Sequence, residues 1–316
     1  MNPTVLFIDN PHPSMEKELR ALGYDIEKKD ISYSELATSA HKYVGYIIRS
    51  KFVIDQHIID RSIHLQFIAR IGAGMENIDV DYAKQKKIHC LNSPEGNADA
   101  VGEFVIATLL NLLRNIQKAD TEVRNGIWDR KSNLGNELCH KTVGIIGYGN
   151  MGKNLAGKLK SFGCELLAHD KFKTGFGDEK VKEVSLKEIW KYADIVSLHI
   201  NYLPENYYYV NKNWLQAFEK NIYLINTSRG KILHTADLAN AIQQEKIKAA
   251  ALDVLEYENI RLQNKPIEEW DDAMHFLARS PKVILSPHIA GQTFESSEKH
   301  VGILIEKIKK EVLLLG

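Results

Sequence analysis

A glycine-rich hexapeptide that starts at Gly147 is the feature that most constrains the fold. It has the spacing G-x-G-x-x-G, follows the apolar run Thr142–Ile146 directly and precedes a segment with helical character through Leu159. The first glycine allows a tight turn, Gly149 lets the backbone approach a ligand, and Gly152 lets strand and helix pack closely. A strand, a glycine loop and a helix in this order predict a parallel α/β sheet that binds a dinucleotide pyrophosphate at the helix N-terminus.

An acidic residue completes this pattern. Asp170 stands 18 residues beyond Gly152, at the end of the next predicted strand. A carboxylate there accepts hydrogen bonds from the hydroxyls of the adenosine ribose and repels the 2′-phosphate of NADP. The sequence therefore predicts NAD as the cofactor.

Composition sets the size and class of the protein. A chain of 316 residues with 44% hydrophobic residues is long enough for two domains. Its 41 basic and 41 acidic residues cancel, so we expect no nucleic acid or membrane partner and a small-molecule substrate. The first residues lack the regions of a signal peptide, and no apolar run reaches the roughly 18 residues of a membrane span, so we expect a cytoplasmic protein.

The three cysteines are far apart, and the sequence has no C-x-x-C pair and no histidine at the spacing of a metal ligand. Neither a disulfide framework nor a metal site is expected, and Cys90, Cys139 and Cys164 are interpreted as ordinary buried thiols.

Short apolar runs alternate with helical segments from the start of the chain. Four runs in the first part are interpreted as buried strands: Val5–Asp9, Val44–Ile48, Phe67–Ile71 and Ile88–Asn92. Helices are predicted over Met15–Leu22 and Val80–Lys87, and one long helix over Ala98–Asp120, where apolar residues from Val101 to Ile116 recur near helical spacing. This alternation predicts a parallel sheet covered by helices.

A second alternating series follows. Its six expected strands, the number in a full dinucleotide fold, are Thr142–Ile146, Glu165–Ala168, Ile195–Leu198, Tyr223–Ile225, Ala250–Asp253 and Val283–Leu285. A helix over Glu295–Leu315 is expected to return to the first domain. The predicted architecture is two Rossmann-like, doubly wound domains, the second inserted in the first: residues 1–98 completed by 292–316, and 99–291.

Three chemically distinct residues follow strands of the second sheet, where open α/β sheets place their ligands. Arg229 is suited to holding a carboxylate bidentately. His288 is a candidate general acid and base, and Glu258 would favour its imidazolium form if the two side chains meet. Each residue alone is more often structural, and the three in chain order carry the prediction.

In this order, Arg229, Glu258 and His288 match the catalytic residues of the D-isomer-specific 2-hydroxyacid dehydrogenases, which the whole chain resembles. The segments Arg70–Gly74 and Asn92–Glu103 share in the resemblance. It implies an NAD-dependent oxidoreductase in which the first domain, completed by the C-terminal helix, binds substrate. It also implies a homodimer, formed in part by the long helix.

The resemblance also implies the roles of individual residues. Backbone around Ala73 and Gly74 would bind the substrate carboxylate. The other cofactor contacts, beyond the glycines and Asp170, would come from Asn150, Met151, Ile200, Thr227, Ser228, Asp253 and Gly291. His288 would exchange the proton of the C2 hydroxyl while hydride moves between C2 and the nicotinamide.

The substrate is predicted from Arg49, Ser50 and Lys51, which follow a strand of the first domain. Two cations and a hydroxyl suit a phosphate group, and the segment resembles that of family members acting on 3-phospho-D-glycerate, as does Trp128–Lys131. The expected reaction gives 3-phosphohydroxypyruvate, the first step of serine biosynthesis. The chain ends soon after the returning helix, so we expect no C-terminal regulatory domain. Alternatives are reduction of hydroxypyruvate or glyoxylate, another member reaction such as formate oxidation, and an NAD-sensing corepressor-like protein.

Overall fold

Two compact units make up the protein, in a computed structural model that describes residues 2–259, 263 and 265–313. Unit 1 comprises the described residues of Met1–Asn97, Asn259–Gln263 and Gln292–Gly316. Unit 2 comprises those of Ala98–Glu258 and Asn264–Gly291. Each unit holds one wholly parallel sheet, of five strands in unit 1 and seven in unit 2. The predicted fold class of two parallel-sheet α/β domains is confirmed.

Unit 1 alternates strands and helices, and its sheet has the order β2-β1-β3-β4-β5. Its elements are β1 Thr4–Phe7, α1 Ser14–Ala21, β2 Asp25–Lys28, α2 Tyr33–Ser39, β3 Gly45–Ile48, α3 Gln56–Arg61, β4 Phe67–Arg70, α4 Val80–Gln85 and β5 His89–Asn92. The C-terminal helix α12, Phe294–Ile308, continues as a wider π-type turn over Lys309–Leu313. Leu315, the predicted end of this helix, lies outside the described residues.

Both faces of the first sheet are buried. Val5 and Phe7 of β1 pack with residues of α1 and α12 on one face. Leu6 and Ile8, which point to the opposite face, pack with α2, α3 and α4. Alternate side chains of a strand point to opposite faces, so the continuous apolar runs of this unit give a sheet covered on both sides.

Unit 2 opens with helices α5 and α6 and has the strand order β12-β11-β10-β9-β6-β7-β8. Its elements are α5 Ala98–Arg114, α6 Ile116–Arg124, β6 Thr142–Ile146, α7 Asn150–Leu159, β7 Glu165–His169, β8 Val181–Glu183, α8 Leu186–Tyr192, β9 Ile195–Leu198, α9 Lys212–Gln216, β10 Ile222–Asn226, α10 Thr235–Gln243, β11 Ile247–Leu252, α11 Asp272–Arg279 and β12 Val283–Leu285. Helices α5 and α7 cover one face, and α8 to α11 pack in the core of the other. The strand order reverses between β6 and β9, which is where ligands bind in such sheets.

The prediction of one long helix over Ala98–Asp120 is wrong in one respect, because two helices, α5 and α6, cover this segment. Asn115 adopts a left-handed conformation with φ of 54°, which ends α5 and starts α6. Val101, Val105 and Leu109 are buried as the spacing indicated, but Ile116 is 53% exposed. The apolar periodicity therefore predicts the buried face of α5 correctly, but its last position, Ile116 in α6, is not buried.

Two short edge strands were not expected from the sequence. Strand β2 (Asp25–Lys28) has no fully buried residue, and β8 (Val181–Glu183) buries only Val181. The second sheet consequently has seven strands rather than six. The other predicted strands are present with ends that differ by up to three residues.

The prediction of three buried thiols is wrong for Cys139. This side chain is exposed, whereas Cys90 and Cys164 are partly buried. Within residues 2–259, 263 and 265–313, no helix has the length and apolar character that crossing a bilayer requires.

Candidate active site

The glycine loop has the geometry that its spacing predicts. Gly147, just after β6, has φ of 93°, and a Cβ there would lie 2.4 Å from the carbonyl oxygen of His199. A Cβ on Gly152 would lie 2.0 Å from the carbonyl oxygen of Gly147. A Cβ on Gly149 would meet no atom of the described residues within 4 Å. Two glycines are thus required by packing, and the third leaves open space beside the backbone.

The start of α7 supplies donors for an anion. Gly149 is its N-cap residue, and no side chain of the described part of the chain caps it. Asn150 and Met151, the first two helical residues, are exposed and partly buried. An uncapped helix N-terminus presents unpaired backbone N–H groups and a positive dipole end. These features fit a dinucleotide pyrophosphate.

Asp170 follows β7 and its carboxylate contacts the glycine loop. Its oxygens accept hydrogen bonds from the backbone N–H groups of Tyr148 (2.7 Å), Phe172 (2.9 Å) and Lys173 (3.1 Å). Burial alone would raise the pKa of Asp170, but these hydrogen bonds and the Lys173 charge outweigh it and lower the pKa below its usual value. The carboxylate is therefore ionised at neutral pH, and it fixes the loop as well as carrying the charge that the sequence predicted.

Polar residues after β10 form a compact turn. The Ser228 hydroxyl donates to the carbonyl oxygen of Leu198 at the end of β9 (2.7 Å), and the Ser228 N–H donates to Oδ1 of Asn226 (3.0 Å). Arg229 is partly buried, and its Nη1 donates to the carbonyl oxygen of Ser228 (2.7 Å). Oγ1 of Thr227 is buried without a hydrogen-bond partner among the described residues. A buried hydroxyl without a partner fits a site that a polar ligand completes.

Asp253, directly after β11, organises the loop that carries His288. Its buried carboxylate accepts hydrogen bonds from Ser286 Oγ (2.6 Å) and from the N–H groups of Ile289 (2.9 Å) and Ala290 (2.8 Å). Its carbonyl oxygen accepts from the N–H of His288 (2.8 Å). This structural role was not predicted, and the cofactor contact predicted for Asp253 stays a prediction.

His288 and Glu258 meet directly. Nδ1 of His288 lies 2.7 Å from Oε2 of Glu258, and their side chains are 21% and 14% exposed. The other Glu258 oxygen accepts from the N–H of Leu255 (2.5 Å). The ring is thus oriented by a carboxylate that is itself held by the backbone, an arrangement typical of a general acid and base.

Gly230 explains how the Glu258 segment approaches the β10 turn. A Cβ on Gly230 would lie 1.9 Å from the carbonyl oxygen of Leu255. Only glycine permits this close passage of the two backbones. The Arg229 turn and the loop leading to Glu258 are therefore packed against each other.

In unit 1, the Arg49–Lys51 turn follows β3, where its strand order reverses. One oxygen of Asp9 accepts from the backbone N–H groups of Arg49 (2.6 Å), Ser50 (3.2 Å) and Lys51 (3.4 Å). The Lys51 ammonium pairs with Asp30, and Arg49 is exposed. The backbone N–H groups of this turn therefore already donate hydrogen bonds to a carboxylate of the protein, which the sequence did not indicate.

The loop after β4 carries Ala73 and Gly74, both partly buried. Gly72 has φ of 129°, which favours glycine. The Asn92 side chain donates to the carbonyl oxygen of Ala73 (2.7 Å). Among the described residues, no hydrogen bond uses the backbone N–H of Ala73 or Gly74. These two donors suit the carboxylate that the resemblance implies.

The predicted cofactor residues of unit 2 lie on one edge of its sheet. Ile200 follows β9, and its backbone nitrogen would lie 3.0 Å from a Cβ on Gly147. Gly291 ends the segment that carries His288, and Thr227 and Ser228 follow β10. Carboxyl ends of neighbouring parallel strands bring these residues together. The supporting residues Asn226, Ser286 and Tyr148 were missed, because a single sequence gives no signal for hydrogen bonds between distant loops.

Comparison with known proteins assigns this chain to a family. Residues 106–290 match the model of the D-isomer specific 2-hydroxyacid dehydrogenase, NAD binding domain. A hydroxypyruvate reductase of Thermotoga maritima is 33% identical over 84% of this chain and 84% of its own length. A D-3-phosphoglycerate dehydrogenase of Archaeoglobus fulgidus is 33% identical over 91% of this chain, which spans only 53% of that protein.

A solved structure agrees. The D-lactate dehydrogenase of Aquifex aeolicus, complexed with NAD and lactic acid, superposes with a TM-score of 0.83 and 26% identity over 98% of this chain and 95% of its own. The chain belongs to the D-isomer-specific 2-hydroxyacid dehydrogenase family, and its matched domain is the NAD-binding domain of that family.

Proposed function

We propose that this protein interconverts a small D-2-hydroxy acid and its 2-oxo acid with NAD. The observation that carries the proposal is the 2.7 Å contact between His288 and Glu258 at the carboxyl edge of the NAD-binding domain. Bound NAD supplies the hydride acceptor for C2. The residues of the chain supply the proton exchange, the charge and the orientation that this step requires.

His288 exchanges the proton. Because Nδ1 contacts Glu258, we assign the exchange with the substrate hydroxyl to the other ring nitrogen, Nε2. In the oxidative direction Nε2 takes the hydroxyl proton as the C2–H bond breaks, and the Glu258 carboxylate stabilises the imidazolium that results. In the reductive direction the same nitrogen returns the proton to the forming alkoxide.

Cations and backbone donors hold the substrate. Arg229 lies in the turn after β10, which packs against the loop leading to Glu258, and a guanidinium can bind the carboxylate and polarise the C2 oxygen. In unit 1, Ala73 and Gly74 carry the backbone N–H groups that we propose for a substrate carboxylate, the role that the family resemblance implies. The pyrophosphate is held by the first residues of α7 and by the glycines of the loop, Gly147, Gly149 and Gly152. Asp170 binds the adenosine ribose.

For the substrate itself, we propose 3-phospho-D-glycerate. Arg49 is an exposed cation at the carboxyl edge of the first sheet, and phosphoglycerate dehydrogenases are among the relatives. Since Asp9 occupies the backbone donors of this turn, a phosphate would depend on the Arg49 guanidinium. Hydroxypyruvate has no phosphate and does not need the Arg49 guanidinium, so it is the second candidate. It is favoured by the carboxylates of Asp9 and Asp30, whose negative charges offset the positive charge of the Arg49–Lys51 turn.

Initial rates of NADH oxidation separate the two substrates. Phosphohydroxypyruvate, hydroxypyruvate and glyoxylate are compared for the wild type, for Arg49→Ala and for Arg61→Ala, an exposed arginine of the same unit that bonds His57. We expect the highest kcat/KM for phosphohydroxypyruvate, and a loss of about 10-fold or more in Arg49→Ala alone, since a charged hydrogen bond is worth about 1.5–3 kcal/mol. Equal kcat/KM for all three acids would overturn the phosphate assignment and favour the hydroxypyruvate class.

A further inference from the structure

Two residues form hydrogen bonds with the loop proposed to bind the substrate carboxylate. They are Asn92, the last residue of β5, and Ser93, which follows it. The Ser93 N–H donates to the carbonyl oxygen of Gly72 (2.9 Å), and the Gly72 N–H donates to Ser93 Oγ (3.3 Å). Asn92 binds the carbonyl oxygen of Ala73 (2.7 Å). The loop conformation therefore depends on where the segment Asn92–Ser93 stands.

That segment is in turn held by α12, which is more than 200 residues away in the chain. Nδ1 of His300 lies 2.8 Å from Ser93 Oγ, and the His300 side chain is buried. A Cβ on Gly96 would lie 2.5 Å from the same nitrogen. The glycine leaves the space in which the imidazole reaches Ser93.

A second residue of α12, Lys307, contacts Asn92, the residue before Ser93. The Lys307 ammonium donates to the carbonyl oxygen of Asn92 (2.8 Å) and pairs with Glu95 (3.3 Å). His300 and Lys307 are seven residues apart, so they lie on the same face of the helix, two turns from each other. One face of α12 thus contacts both residues that hold the Gly72–Gly74 loop.

These polar contacts are additional to the packing of the helix. Val301, Leu304, Ile305 and Ile308 already bury α12 against the first sheet. Apolar packing fixes the helix to the sheet, whereas hydrogen bonds have the directionality that fixes a particular backbone. The His300 and Lys307 contacts end on the backbone segment beneath the loop, so their effect should be on loop geometry.

We propose that His300 and Lys307 are positioning residues, which set the Ala73 and Gly74 N–H groups for the substrate carboxylate through Ser93 and Asn92. The inference rests on the proposed function and deepens its account of substrate binding. A binding group must be held within about 0.5 Å to act fully, and its supporting residues determine whether it is. We propose no contact between either α12 residue and the substrate.

Kinetics and binding of the intact protein test the role. The variants are Ser93→Ala, His300→Leu, His300→Asn and Lys307→Met. Lys309→Met is the matched control, because Lys309, at the end of α12, pairs with Glu306. Asparagine retains a polar atom close to the position of Nδ1, so His300→Asn should keep most of the activity that His300→Leu loses. Thermal unfolding confirms that each variant is folded.

We expect KM for the 2-oxo acid to rise about 10- to 100-fold in Ser93→Ala, Lys307→Met and His300→Leu, the range for a misplaced binding group. The value of kcat should change less than KM, because the carboxylate is bound in both the ground and transition states. Affinity of the NADH complex for oxamate, an unreactive carboxylate, should fall in parallel, while Kd for NAD stays within about twofold.

Unchanged KM and oxamate affinity in Ser93→Ala and Lys307→Met, with a wild type that reduces 2-oxo acids, would overturn the positioning role alone. Equal losses in Lys309→Met, or a fall in kcat and NAD affinity together, would also overturn it, because a general structural defect would then explain the result. A wild type that reduces no 2-oxo acid and binds no oxamate would overturn the proposed function and this inference together.

Discussion

His288 has a backbone conformation that residues with side chains rarely adopt. Its φ of 55° lies in the left-handed region, and its N–H is held by the carbonyl oxygen of Asp253 (2.8 Å). The Asp253 carboxylate holds the next two N–H groups of the same loop. Such strain persists only where the surroundings fix it, and it concentrates at functional residues. Here it accompanies the contact of the ring with Glu258.

We expect a single residue, Asp170, to determine the choice between NAD and NADP. The ionised Asp170 should repel a 2′-phosphate, so we expect kcat/KM to be higher with NADH than with NADPH. In Asp170→Ala the ratio should narrow by about 10-fold or more, which corresponds to about 1.4 kcal/mol. Part of the loss with NADH will come from the hydrogen bond that Asp170 accepts from Tyr148.

Asp178→Ala provides the control for this change. Asp178 likewise accepts two backbone N–H groups, from Lys180 and Val181, and it pairs with Lys160 on the same domain. Its removal should leave the cofactor ratio unchanged. A wild type that uses NADPH as well as NADH, or a ratio that shifts equally in both variants, would show that Asp170 does not select the cofactor.

Helix α7 combines two glycines with opposite requirements. Gly152 faces the glycine loop, where a Cβ would lie 2.0 Å from a backbone oxygen. Gly157 is exposed, and a Cβ there would meet no described atom within 4 Å. The element therefore contains its own matched pair of sites for the same substitution.

We expect Gly152→Ala to lower the melting temperature and to weaken NAD binding at least 10-fold, because the clash displaces the backbone that we propose holds the pyrophosphate. Gly157→Ala should raise the free energy of unfolding by about 0.5–1 kcal/mol, since alanine favours a helix interior over glycine. Scanning calorimetry gives the melting temperature and the free energy of unfolding, and titration calorimetry gives the affinity for NAD. Tight NAD binding by Gly152→Ala would contradict the assigned role of the loop.

Sequence patterns predicted elements with a strong apolar signal and missed those without one. The run Thr142–Ile146 is fully buried as β6, whereas β2, at the edge of its sheet, has exposed residues at both ends and only partly buried residues between them. Apolar periodicity reports burial, and edge strands bury little. The break at Asn115 was missed because it depends on a single left-handed residue.

The same limit applies to the candidate site. Strand ends and chemical type were enough to select Glu258 and His288, which lie 2.7 Å apart. The contacts of Asp9 with the Arg49 turn join residues 40 to 42 positions apart. Nothing in the local sequence specifies such pairings, which arise only when strands β1 and β3 are placed side by side.

Each of the two units contains one histidine that should make the stability of the protein depend on pH. Burial lowers the pKa of His199 in unit 2 and of His300 in unit 1 to about 4 in each case. The folded protein binds the proton less well than the unfolded chain, whose histidines have a pKa of about 6.5. Stability is therefore fully present above pH 6.5 and is lost as the pH falls through this window toward 4.

We expect the melting temperature to fall between pH 6.5 and 5, each pKa unit of difference being worth about 1.4 kcal/mol. His300→Asn should flatten this dependence. Glu35 and Asp178 do not act in the window, because a backbone hydrogen bond from Ser32 and the ion pair with Lys160 lower their pKa values to about 2. A constant melting temperature over the window, or an unchanged slope in His300→Asn, would contradict this assignment.

We propose that the chain is a D-specific 2-hydroxyacid dehydrogenase whose proton transfer depends on His288 and Glu258. The most direct test is to reduce a 2-oxo acid with NADH, determine the configuration of the product, and repeat the assay with His288→Asn. We predict only the D-hydroxy acid, with kcat lowered about 10²- to 10⁴-fold in the variant and Kd for NADH nearly unchanged. An L-hydroxy acid, no product from any 2-oxo acid, or wild-type kcat in His288→Asn would contradict it.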